Sequence, residues 1–146
     1  MFFKIFDKSK FTGTYKVEGW QDGVKTIDYT KKNVITQTLF NAFFDALDGT
    51  TTPIEIAEIA TGTGTNTAMK SDTALQTEVF RKAISSKSRT STQFIVKLSL
   101  GPAESAFVIR EIGVFTTDGD MLSRVNVNID KNSSTQLLIT YTLTAQ

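Results

Sequence analysis

From Phe107 to Tyr141 the chain alternates its residue types through three successive segments, FVIREIGVF, MLSRVNVNI and the run containing Leu137, Ile139 and Tyr141. The clusters Thr117-Asp118-Gly119-Asp120 and Asp130-Lys131-Asn132-Ser133-Ser134 separate them. Alternation at period two, bounded by Asp, Gly, Asn and Ser, predicts β-strands joined by tight turns. In the first segment Phe107, Ile109, Glu111, Gly113 and Phe115 are expected on one face, with Val108, Arg110, Ile112 and Val114 on the other. Glu111 is then a carboxylate on an apolar face, and it needs a partner.

The rest of the chain follows the same logic. Phe11 to Thr30 reads as a hairpin whose turn is Asp22-Gly23. Residues 34–48 change period: Val34, Leu39, Phe43 and Leu47 recur at helical spacing, widened by Phe40, Phe44 and Ala46. Asn33 or Thr36 can cap the start of this helix, and Gly49 stands where a C-terminal glycine belongs. Pro53 breaks the chain. Ile54, Ile56 and Ile59 then lead a strand into Thr61-Gly62-Thr63-Gly64-Thr65, read as a strand-end turn that uses the positive φ angles open to glycine. Ser71 to Gln76 has the spacing of a short capped helical turn. Strands are expected from Val79 and over Phe94 to Leu100, with a polar turn from Ser85 to Thr92 between them. About eight or nine strands and one helix, without alternating βαβ units, predict a mainly β fold, an antiparallel β-sandwich with one α-helix. Residues 11–146 are expected to form one domain.

Composition narrows the chemistry. Sixteen Lys and Arg against fifteen Asp and Glu give a net charge of +1, so neither a nucleic acid nor an acidic membrane surface is an expected partner. The 146 residues contain no cysteine and no histidine. Disulfides, the usual zinc, copper and haem ligands and imidazole or thiolate catalysis are thereby excluded, and no cofactor or metal is expected. No apolar run is long enough to span a bilayer.

Several polar groups invite a functional reading. Glu111 lies near arginines in two ways, through Arg124 on the following strand and through Arg81, itself close to Glu78. Paired carboxylates support glycoside hydrolysis, but an ion pair that neutralises a buried Glu111 is the simpler assignment, with Arg81 or Arg124 as the partner. Asp118-Gly119-Asp120 offers too few oxygens for calcium. The glycine-threonine loop lacks the Gly-Lys-Ser/Thr ending of a phosphate loop and the third glycine of a dinucleotide fingerprint. Trp20 reads as a cover over the hairpin end; stacking on a sugar, together with loop tyrosines, is the alternative. Met1 to Phe6, with Phe2, Phe3, Ile5 and Phe6, is too short and interrupted for a signal peptide. Residues 1–10 are read as an edge strand of the chain's own sheet or as an arm that pairs with a neighbouring subunit.

The order of these motifs resembles the virion-attachment domain at the N-terminus of tail-fibre and tail-collar proteins of tailed bacteriophages. The resemblance rests on Asn33-Val34-Ile35-Thr36 ahead of the helix and on Gly62-Thr63-Gly64-Thr65. Asp72-Thr73-Ala74-Leu75, Glu78 and Arg81 follow, then Arg110-Glu111-Ile112-Gly113-Val114-Phe115 with Asp118-Gly119 and Leu122-Ser123-Arg124. It covers roughly Asn33 to Tyr141. It implies a non-enzymatic structural protein of the virion, made in the host cytoplasm and assembled with other virion proteins as a trimer or ring, and it implies no active-site residues. Because no fibre shaft follows Gln146, a standalone tail, baseplate or adaptor component is expected. A capsid decoration or head-fibre protein is the alternative within this class, and a carbohydrate-binding β-sandwich the alternative outside it.

Overall fold

The computed structural model describes residues 11–50 and 54–145. Among these residues ten strands form two five-stranded sheets, every neighbouring pair antiparallel. The first sheet has the order β2 (Val24–Lys32), β1 (Phe11–Gln21), β10 (Gln136–Ala145), β7 (Gln93–Leu100), β6 (Ser86–Arg89). The second has the order β3 (Val34–Ile35), β9 (Met121–Asp130), β8 (Val108–Thr116), β4 (Ile56–Gly62), β5 (Glu78–Ala83). The polar segment after Ser85 is therefore partly a strand, β6, rather than turn alone. The turns behave as their residues require: Asp22, Gly23 and Gly119 all have positive φ, as tight hairpin connections demand.

The main core lies between the sheets. Tyr15, Val17, Val96, Leu98 and Ile139 project from the first sheet onto Ile59, Ile112, Val114, Val125 and Ile129 of the second. Burying each aliphatic side chain of this kind stabilises the fold by about 1.5–3 kcal/mol. One polar bridge crosses the core. The Tyr15 hydroxyl of the first sheet hydrogen-bonds the Ser123 hydroxyl of the second, and the Tyr15 and Tyr141 rings pack with centroids 4.9 Å apart.

Strand β8 departs from the expected alternation. The pairing register with β9 shifts between Ile109 and Glu111. Ile109, Ile112 and Val114 consequently all enter the inter-sheet core, whereas Phe115 joins Ala60, Leu75 and Met121 in a second cluster on the opposite side of the sheet. Glu111 thus does not share the face of Ile109. A bulge breaks period two, and alternation read from sequence assumes unbroken pairing.

The helix α1 is shorter than its hydrophobic pattern. It spans Gln37–Leu47, because Val34 and Ile35 pair with Arg124 and Ser123 as strand β3. Thr36 occupies the N-cap position, yet its hydroxyl donates to Met121 O at 2.8 Å instead of accepting from the helix. The Gln37 amide is satisfied by Lys70 O at 2.8 Å. At the other end Gly49, with φ of 73°, donates to Ala46 O at 3.2 Å, the expected glycine termination. Leu39 is buried, but Phe44 and Leu47 are 62% and 84% exposed, so the apolar stripe is only half used against this chain. Residues Ser71 to Gln76 form no helix. The segment between β4 and β5 is instead an irregular flap over the outer face of the second sheet.

Candidate functional site

The flap is held by one carboxylate. Glu111 on β8 and Arg124 on β9 are both fully buried. Their positions follow from neighbouring strands, Glu111 lying opposite Asn126 and Gly113 opposite Arg124. Arg124 Nε donates to Glu111 Oε1 at 3.0 Å, and Arg124 Nη2 lies 3.0 Å from the same oxygen. Three backbone amides of the flap complete the shell. Gly64 N and Thr77 N donate to Oε2, and Gln76 N donates to Oε1, each at 2.8 Å. Glu111 thereby ties both ends of the flap to the sheet. A carboxylate removed from water is tolerated only with such charge-assisted partners.

Arg124 reaches the middle of the flap. Its Nη1 donates to Asp72 Oδ2 at 2.9 Å, and its Nη2 donates to Asn66 O at 3.1 Å and also to Asn66 Oδ1. Asp72 Oδ2 in turn accepts from Met69 N at 2.8 Å. Asn126, beside Arg124 on β9, donates to Asn66 O at 2.8 Å and accepts from Ala68 N at 2.7 Å. Leu75 seals the flap from the apolar side against Ala60, Phe115 and Met121.

The glycines of Gly62-Thr63-Gly64 are needed for proximity. Neither Gly62 nor Gly64 is among the positive-φ glycines, so the expected left-handed turn is not what selects them. A Cβ at Gly64 would stand 2.3 Å from Glu111 Oε2 and 2.5 Å from Gln76 Cβ, and one at Gly62 would stand 2.2 Å from Thr77 O. Gly113 is closed in by Leu75 Cδ2 at 3.0 Å.

Arg81 lies elsewhere. It holds Glu78 through Nε and Nη2 at 3.0 and 2.7 Å, approaches Glu58 at 3.5 Å, and stacks over the Phe115 ring with Cζ 3.7 Å from the centroid. The Glu78 hydrogen bonds are the main cause that raises its pKa above the ordinary arginine range. Of the two arginines considered for Glu111, the structure brings only Arg124 to it. Sequence reasoning places Asp72 only in a motif of the family resemblance and assigns it no contact, and it does not distinguish Asn66 and Asn126 as site residues. Their sole local signal is the density of Asn, Asp, Gly and Thr in the flap, which is shared by any turn.

The remaining candidates fall into structural places. Trp20 sits on β1 with Lys25 Nζ 5.9 Å from its ring centroid. The tyrosines lie on strands and not on loops: Tyr15 and Tyr141 are buried, and Tyr29 is on β2. Asp118-Gly119-Asp120 is the β8–β9 turn, and among the described residues no group of three or more acidic side chains is placed to hold a metal ion. Phe2, Phe3, Ile5 and Phe6 lie outside the described residues.

Chemically, Glu111 is saturated. Its two oxygens accept from three amides and one guanidinium, which leaves no open lone pair facing a substrate. General acid–base work requires a group within reach of the proton it moves; here the carboxylate is spent on the chain itself. The arrangement is that of a latch, and it defines a structural β-sandwich whose irregular segment is locked to one sheet face. Residues 20–143 match the family described as phage tail-collar fibre protein, N-terminal, and the chain belongs to that family. It is a structural, non-enzymatic phage protein. No curated protein and no solved structure matches it.

Proposed function

We propose that this chain acts in the tail-fibre attachment or baseplate apparatus of a phage virion through subunit–subunit contacts, as a homo-oligomer (trimer or ring) joined to other virion proteins. The observation that carries this reading, beside the family, is the open sandwich. Among the described residues neither sheet closes on itself, and β2, β6, β3 and β5 each have one edge without a strand partner there. The longest, β2, presents nine residues, most of them exposed. Unpaired strand edges are templates for pairing with another chain, and closed symmetric assemblies are the usual result when pairing is controlled. The charges along β2, Lys25, Asp28, Lys31 and Lys32, suit a specific and not a promiscuous edge. The N-terminal arm, with Phe2, Phe3, Ile5 and Phe6, supplies a second contact in this reading.

The test is the absolute mass in solution, by light scattering on a sizing column, of the full chain and of a version lacking residues 1–8. A stable trimer or ring that loosens on truncation supports the assembly reading. A monomer in both forms at high micromolar concentration removes self-assembly as the mode of action.

A further inference from the structure

Strand β9 is paired on its β3 side only at Ser123 and Arg124. Over residues 126–130 that side has no strand partner among the described residues, which leaves about 16–17 Å of edge at 3.2–3.4 Å per residue. Neighbouring contacts identify the backbone groups that face this edge. Leu122 O accepts from Thr36 N at 3.1 Å, Asn126 O accepts from Lys31 Nζ at 2.7 Å, and Lys131 N turns the other way, to Phe107 O at 3.3 Å. By strand alternation Asn128 and Asp130 point their N–H and C=O groups toward the edge. A groove of about 370 Å³ opens there, between residues 128–130 of β9 and residues 26–29 of β2. We propose that it receives an extended segment of another virion protein, added to β9 as a single strand with apolar residues on one face and basic residues on the other. The proposal rests on the assembly reading above and names one edge and the chemistry of its partner.

Three observations select this occupant. First, the edge is not blunted. On β6, Lys87 and Arg89 lie opposite Val96 and Phe94 and so share the face turned to the core, and inward-pointing charge of this kind discourages edge pairing. The inward residues of β9 here are Val127 and Ile129, 7% and 3% exposed. Ile129, with Ile27 and Tyr29 across the groove, offers an apolar floor to every second side chain of an added strand. Second, the groove has strands on both sides. A strand that already belonged to a sheet would press its own neighbour against β2, so a lone segment fits, and all ten described strands of this chain are sheet-bound. Third, the lining is acidic. Asp28 and Asp130 line the groove with no lysine or arginine beside them in its wall. Lys25 holds Asp28 at 3.3 Å, but Lys131, next to Asp130, spends its Nζ on Gly101 O and Pro102 O at 3.0 and 2.9 Å. Asp130 is left for an incoming cation, on the face of β9 opposite to Ile129.

The probe is a capped seven-residue peptide in which valine alternates with lysine and threonine, added to the full chain at up to about 1 mM. Amide exchange followed by NMR should slow at least fivefold at Asn128 and Asp130 and stay unchanged along β6. The same peptide with glutamate in place of lysine should bind at least threefold more weakly. Asn128→Pro removes a donor from the open side of the strand, where proline is tolerated, and should abolish the protection. Asp130→Lys, at an exposed position, should reverse the preference between the two peptides, and it serves if the proline variant fails to fold. No protection at Asn128 and Asp130, or protection that survives both variants, overturns the proposal. Protection of those amides in the chain alone that grows with its own concentration assigns the edge to a second copy and overturns it as well. The mass measurement above decides self-assembly separately.

Discussion

Glu111 Oε1 and Arg124 Nε meet at 3.0 Å with both residues fully buried, and the pair's remaining hydrogen-bonding capacity is spent on the segment between β4 and β5. It therefore does more than neutralise a charge. It converts a loop of turn-forming residues into a fixed cover for the sheet.

Replacing Glu111 by Gln should destabilise the protein by roughly 3–5 kcal/mol, since removing one partner strands a buried charge. The double variant Glu111→Leu with Arg124→Met should recover little. Apolar replacement of a simple buried pair is often neutral, but here the Gly64, Gln76 and Thr77 amides would lose their acceptor, at about 1–3 kcal/mol for each unsatisfied group. Urea unfolding of the two variants decides the matter; a double variant as stable as the parent would show that the flap amides do not depend on Glu111.

Arginine position should separate two outwardly similar ion pairs. Arg81 is 28% exposed at its side chain and Glu78 36%, so Arg81→Ala should cost no more than about 1–2 kcal/mol, combining a screened pair with the loss of its stacking on Phe115. Arg124→Ala should cost at least about 3 kcal/mol. Equal losses in thermal or denaturant unfolding would contradict the assignment of the latch to Arg124.

Gly64→Ala should loosen the flap without dissolving the sandwich. The added methyl has only 2.3 Å to Glu111 Oε2, so Gly64 N must withdraw from the carboxylate. Amide hydrogen exchange should accelerate at Gln76 and Thr77 while the amides of β1, β10 and β7 keep their protection. Unchanged exchange in the flap would mean that the close approach is not what requires glycine there.

Stability should decline in strong alkali through the core tyrosines. Burial pushes Tyr141 up to about 12 and Tyr15 well above its ordinary value. For a phenol raised in the folded state, the stabilisation is complete below the unfolded value of about 10 and is lost as pH rises through the folded one. Unfolding free energy should therefore fall between pH about 10 and about 12,. Tyr141→Phe should flatten that slope. Tyrosinate absorbance from all three tyrosines at pH about 10 in a still folded protein would refute it.

The sequence alone determined the last three strands, β8 to β10, the Asp22-Gly23 and Asp118-Gly119 turns, the sandwich class and the need of Glu111 for a cation. Each is a local property, written in period-two alternation or in the backbone freedom of a few residues. The helix start is ambiguous in the sequence for the same reason: Val34 and Ile35 satisfy a helical stripe as well as a strand, and only their pairing with Arg124 and Ser123 decides between them. The tertiary structure chose Arg124 over Arg81, turned Glu111 away from Ile109 through a register shift, and folded the flap onto the sheet. Those choices rest on contacts between residues 13 to 58 positions apart. Such contacts leave no periodic trace along the chain, because strand pairing and not neighbourhood in sequence brings the partners together.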